Sequence, residues 1–183
     1  MQVLLDQVIP VAYRLFRVRS VDPNGPDLED WDEEDDEDDD RSDDLGMDGQ
    51  QNGLCGAGVP GQLTFITGTH TGDVLLRMEL HECEPPLDAA SSEVVEVSFA
   101  PASPDTWFAP WEGSGSELAL EQRDYRVRYS AAGFDSEDAE ETGAQERYLV
   151  QFWPAPPAPD QVVRQTSETA AYWHRTAREG SPG

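Results

Sequence analysis

Apolar residues recur at every second position through several short stretches of the chain, the spacing that turns one side of a β-strand into a core and the other away from it. The pattern is clearest in DVLLRMELHEC, where Val74, Leu76, Met78 and Leu80 share one face and Leu75, Arg77, Glu79 and His81 the other. In DYRVRYSA, Tyr125, Val127, Tyr129 and Ala131 alternate with Arg126, Arg128 and Ser130; in EVVEVSF, Val95, Val97 and Phe99 alternate with Glu96 and Ser98. On this register a charge placed at Val127 strikes the core, whereas position 126 meets solvent. GQLTFIT, with Leu63 and Phe65, runs into a turn at residues 69–72, which predicts a hairpin with the strand that begins at Val74.

Two segments are apolar on both faces. VIPVAYRLFRVRS sets Val11, Tyr13 and Leu15 against Ala12, Phe16 and Val18, and RYLVQFW sets Tyr148, Val150 and Phe152 against Leu149 and Trp153. Each reads as a strand covered on two sides. Asn24-Gly25 and Asn52-Gly53 mark turns, and PAPPAP from position 154 is a stiff extended connector. SETAAYWHRTARE, from Ser167, combines an N-capping serine, an early Glu168 and late cations at Arg175 and Arg178, the signs of one short helix. The expected fold is mainly β and a single domain over 1–183. It consists of an antiparallel β-sandwich of about six to seven strands from residues 8–26 and 61–153, a disordered acidic insert at 27–60, a Pro-rich connector at 154–166 and a C-terminal helix at 167–179.

Charge changes this picture. The chain carries a net charge of -26 with no lysine, a bias that fits a GC-rich coding genome. Residues 27–48, DLEDWDEEDDEDDDRSDDLGMD, hold 15 acidic residues against Arg41 alone, so this run accounts for -14 and leaves -12 on the rest. Like charge at that density cannot bury a core, and the run is expected to stay solvated and extended until a cationic partner collects it. Halophilic adaptation also makes proteins acidic and poor in lysine, but it spreads the charge, whereas more than half of this excess sits in one run. A surface of this sign repels phosphate backbones and anionic membranes, which argues against direct nucleic-acid or membrane binding and for a basic protein partner. The candidate contact residues are Trp31, an isolated aromatic suited to anchor an electrostatic interface, and Asp32, Glu33, Glu34, Asp35, Asp36, Glu37, Asp38, Asp39 and Asp40 around it. The competing reading of Trp31 is a ring tucked back onto the sandwich.

Chemistry for catalysis is sparse. MQVLLDQVIPVAYRLF lacks a positive start and is broken by Asp6, Gln7 and Pro10, so neither a secretory signal nor a membrane span is expected. Cys55 and Cys83 do not make a disulfide framework and suit free thiols in a cytoplasmic protein. No register of the acidic run supplies the glycine and final glutamate of a calcium-binding loop. His81 and Cys83 are two soft ligands on one strand face, and two are not a zinc site. Gly113-Ser114-Gly115-Ser116 lacks the spacing of a nucleophile turn, and three histidines in unrelated contexts give no triad. No phosphate-binding or dinucleotide fingerprint occurs. No catalytic residue, metal or cofactor is therefore expected. Trp107, Phe108 and Trp111, in the Pro-bounded SPDTWFAPWEGSG, form either a lid on the sandwich or a second contact surface.

In order, VAYRLFRV, GQLTFITGTHTGDVLLRMEL, EVVEVSF, LALEQRDYRVRYSA and ERYLVQFWPA resemble the strand series of the ComJ-like family, known for inhibition of a DNA-entry nuclease. The resemblance spans residues 8–153 and rests on strand patterns; the acidic insert, the PAPPAP connector and the final helix depart from it. It implies an acidic nuclease inhibitor or immunity-type protein whose partner is a basic nuclease or toxin. Two other classes stay open: a sandwich that binds carbohydrate or another small molecule through the Trp107 loop, and an acidic adaptor for a basic partner that is not a nuclease.

Overall fold

The computed structural model describes residues 1–20, 45–111, 114–135 and 146–180. Among these, the alternating stretches become strands: β1 (Gln2–Val11), β2 (Leu15–Ser20), β3 (Cys55–Gly56), β4 (Gln62–Ile66), β5 (Gly72–Leu80), β6 (Glu93–Phe99), β7 (Thr106–Pro110), β8 (Ser116–Leu118), β9 (Tyr125–Ala132), β10 (Arg147–Pro154) and β11 (Gln161–Arg164), followed by helix α1 (Glu168–Glu179). They form a six-stranded sheet A in the order β1-β5-β10-β9-β6-β11 and a five-stranded sheet B in the order β3-β4-β2-β7-β8. Neighbours are antiparallel except β5 and β10, which run parallel. Eleven strands exceed the six or seven expected, because β3, β8 and β11 are too short to show periodicity, β7 lies in a segment read as a loop, and one expected strand divides into β1 and β2.

Between the sheets lies one core. Val74, Leu76 and Met78 of β5 and Tyr125, Val127, Tyr129 and Ala131 of β9 enter it as the alternation predicts, and meet Phe16, Val18, Leu63, Phe65 and Phe108 from sheet B. Rings carry much of the contact, with Phe16 and Phe65 stacked at 4.7 Å and Tyr129 and Tyr148 at 5.6 Å.

Four expectations need correction. β4 and β5 are not a hairpin: β4 pairs with β2 and β3 in sheet B, and β5 with β1 and β10 in sheet A. Period-two patterning reports which side of a strand is buried and is silent about its neighbours. VIPVAYRLFRVRS is not one strand covered on two sides. The chain leaves sheet A at Val11, turns through Tyr13 and Arg14 and enters sheet B at Leu15, so Val11, Phe16 and Val18, which looked opposed, face the same core while Tyr13 stays exposed. Residues 45–60 do not belong with the acidic run, since Met47, Leu54 and Cys55 are buried in the core. The connector at 154–166 likewise contains β11, which extends sheet A beside β6.

Helix α1 begins as its sequence predicts. The Ser167 hydroxyl accepts from the Ala170 amide at 3.1 Å, and buried Glu93 accepts from the Thr166 and Ser167 amides at 3.1 and 2.9 Å. Ala170, His174 and Ala177 form its buried stripe. The helix lies against the segment around Gly53, where a Cβ would stand 2.0 Å from the Trp173 carbonyl oxygen. Gly53→Ala is therefore expected to push α1 off its seat at a cost of about 1–3 kcal/mol. Amide exchange should accelerate across the helix while β9 and β10 stay protected, and uniform protection would show that the helix absorbs the methyl.

Candidate contact surface

The polar face of β9 does not look into solvent. Arg126 and Arg128 are only 7% and 2% exposed, because residues 81–92 and the Pro-rich connector fold over that side of sheet A. Glu96 on β6 accepts from Arg126 Nε at 3.1 Å, Arg128 Nε at 2.8 Å and Gln161 Nε2 at 3.0 Å. The two guanidiniums also donate to the carbonyls of Pro85, Ala158 and Pro159, and Arg128 lies 5.0 Å over the Trp153 ring. Burial alone would raise the Glu96 carboxyl, but hydrogen bonds from Arg128, Arg126 and Gln161 outweigh it and hold the group below its ordinary value. Arg128 Nη2 also donates to the exposed Glu84 at 2.9 Å, so these two guanidiniums are engaged within the fold and its edge and do not present themselves to solvent.

A second cluster forms where β1, β5 and β10 adjoin. Glu79 accepts from Arg77 Nε at 2.6 Å, His81 Nε2 at 2.8 Å and Gln151 Nε2 at 3.1 Å, while Arg77 also pairs with Asp6. Glu79, although partly desolvated, is held below the usual carboxylate value by these donors. The Gln151 bond ties β10 to β5 and the Arg77–Asp6 pair ties β5 to β1, so the cluster works as a brace between strands. Cys83 is exposed and Cys55 buried, both free. Among the described residues no three His, Cys, Asp or Glu side chains gather to hold a metal ion, and no helix is long and apolar enough to cross a membrane.

Trp31 and residues 32–40, the contact residues expected from sequence, lie outside the described residues. The aromatic triplet separates along β7. Phe108 points inward and is 1% exposed, while Trp107, on the opposite face of sheet B, and Trp111, just past the strand end, are 39% and 45% exposed. The triplet is therefore not a lid, because only Phe108 joins the core.

Trp111 meets a residue that sequence reasoning had placed in a strand. Its ring stands 4.9 Å from that of Tyr13, edge to face, and Tyr13 stands 5.7 Å from His70. Tyr13 is 62% exposed, so the three rings make an aromatic tip at one end of the sandwich. Its backbone is strained: Tyr13 and Arg14 have φ of 53° and 67°, a left-handed pair that Asn-Gly adopts readily and that costs other residues about 1–2 kcal/mol each. Neighbouring hydrogen bonds hold it. Leu15 donates to the Ala12 carbonyl at 3.1 Å, Arg14 to that of His70 at 2.9 Å and Thr67 to that of Arg14 at 2.9 Å. Residues 67–70 are in turn pinned from β10, with Gly68 donating to the Tyr148 hydroxyl at 2.8 Å and Thr69 to Glu146 at 2.9 Å. Burial, reinforced by Glu146, holds Tyr148 well above the usual phenol value, so it stays protonated and donates to that carboxylate. Nothing in the composition of AYRL signals this turn.

A groove of about 270 Å³ runs along the outer face of sheet A, lined by Asp6, Leu75, Arg77, Ser91, Arg147 and Leu149 among others. Neither Trp107 nor Trp111 borders it.

No family model matches the sequence, and no curated protein is significantly similar to it. Solved structures do share its fold. One is ComJ from Bacillus subtilis, an inhibitor of the DNA-degrading activity of NucA, with a TM-score of 0.52 and 14% identity over 84% of this chain and 98% of that one. Another is the product of crocagin biosynthetic gene J, with a TM-score of 0.55 and 16% identity over 85% of this chain and 98% of that one. The chain has the ComJ fold.

Proposed function

We propose that this protein is an inhibitor or immunity-type protein that occupies the active-site groove of a basic nuclease or toxin, in the cytoplasm and without catalytic activity of its own. The observation that carries the reading is a net charge of -26 on a fold one of whose solved examples inhibits the DNA-degrading activity of a nuclease. A nuclease groove is cationic because it holds phosphates, and carboxylates can take their place. The inward turn of Arg126 and Arg128 supports this, since a partner meets the exposed Glu84 there and not a guanidinium. The protein titrated into DNA digestion by the nuclease encoded beside it should stop cleavage at near-stoichiometric ratio. Unimpeded cleavage would favour an adaptor for a non-nuclease partner.

Neutralising residues 35–40 is expected to slow association by about 10-fold or more and to flatten its salt dependence, with a smaller effect on dissociation, because steering charges act mainly on the encounter. Stopped-flow mixing over a salt series reads both rates. A faster dissociation at unchanged association would mean that these carboxylates hold the complex together and do not steer its formation. The small-molecule reading is supported less well, because the exposed tryptophans do not border the groove on sheet A.

A further inference from the structure

We infer that the Tyr13–Trp111–His70 tip is the anchoring contact with that basic partner, and that it receives a cationic side chain, arginine above all, against its exposed ring faces. The identity of the partner rests on the reading above; the tip itself rests on geometry. Tyr13 and Trp111 are 62% and 45% exposed and their rings support each other edge to face at 4.9 Å, so they form a preassembled aromatic surface with little core function. The backbone that presents Tyr13 is left-handed at two successive non-glycine residues and is held by the Arg14–His70 and Thr67–Arg14 backbone hydrogen bonds. A chain selected for stability alone would place Asn-Gly here; a strained turn that projects a tyrosine marks a site where the side chain is what matters.

Charge selects the occupant. The protein carries -26, and Arg14, the cation beside Tyr13, turns its Nη1 back to the Thr67 carbonyl at 3.3 Å. An arriving arginine is thus drawn by the field and can stack within about 6 Å of a tyrosine or indole ring, an interaction strengthened as the contact dries. Tyrosine, tryptophan and arginine are also the residues on which interface energy concentrates.

The test uses the full chain and substitutions chosen to separate folding from binding. Tyr13→Asn suits the left-handed turn, so it is expected to raise the melting temperature by about 2–4 °C while removing the ring. Against the cognate nuclease, Tyr13→Asn and Trp111→Ser should each speed dissociation by about 10- to 100-fold, and Trp107→Ser, on the outer face of sheet B, should leave it unchanged. Separately, an acetylated Arg-Gly-Arg-Gly-Arg amide is titrated at high salt and the five tryptophan indole signals followed by NMR. The Trp111 signal should move in the native protein and stay fixed in Tyr13→Asn. A nuclease bound with native kinetics by both tip variants would overturn the anchor and leave the inhibitor reading standing. A Trp111 shift with no nuclease bound would sustain the tip and remove the inhibitor reading. A Trp111 signal that ignores the peptide, or moves equally in Tyr13→Asn, would also overturn the tip.

Discussion

Val127→Asp and Arg126→Asp, neighbours on β9, are both expected to destabilise the fold severely, each by about 3–5 kcal/mol, although they occupy opposite faces of the strand. Val127 is 0% exposed between the sheets, so a carboxylate there is buried without a partner. Arg126 is 7% exposed and donates to Glu96 at 3.1 Å and to the carbonyls of Ala158 and Pro159 at 3.2 and 2.9 Å. Aspartate would lose all three bonds and set a second carboxylate beside Glu96, whose remaining donors are Arg128 and Gln161. Against a total stability of about 5–15 kcal/mol for a domain, either loss approaches unfolding. Urea denaturation of both variants beside Arg126→Met reads the effect, and Met should cost less because it fills the volume without adding charge. If Arg126→Asp were to lose under about 1 kcal/mol, the cover over sheet A would be wrong.

That pair of substitutions also marks where sequence reading stopped. The side of each strand was legible: Val74, Leu76, Met78 and Val127 are buried as alternation requires, and Ser167 caps the helix its pattern predicts. Arg126, Arg128 and Glu96 also alternate correctly, and nothing local tells a solvated arginine from a buried one. The difference lies in Pro85, Ala158 and Pro159, which supply the cover from more than thirty residues away. Strand partners were hidden for the same reason, as β4 shows by joining β2 rather than β5. At the contact surface, Trp111 was legible as a loop aromatic, while Tyr13 was not, because hydrogen bonds from residues 67–70 impose a turn that Tyr-Arg does not favour by itself. Tertiary context overrode local preference at each of these places.

Acid sensitivity is the second large effect, and it traces to one side chain. His174 is 0% exposed on the buried face of α1, and its Nδ1 accepts from the Gly53 amide at 2.9 Å, so the docked ring must be neutral with its proton on Nε2. Protonation would set an N–H against that amide N–H. Burial, followed by the Arg178 charge on the same helix, lowers its pKa from 6.5 to about 4, although Asp160 acts the other way. Because the folded value is depressed, the unfolded chain takes up this proton first. Stability is therefore full above pH 6.5 and falls as the pH drops from there toward 4, by about 2 kcal/mol at pH 5 and about 3 kcal/mol at pH 4. Glu79 and Glu96, also held below their ordinary value of 4.5, add their own losses only further into acid. The interval from pH 7 to 5 thus isolates the histidine. His174→Asn keeps an acceptor, Oδ1, where Nδ1 stood and removes the titration; its urea midpoint is expected to be lower at pH 7 but flat down to pH 5, where the native protein's midpoint declines. A decline that persists unchanged in His174→Asn would mean that helix docking does not depend on a neutral ring.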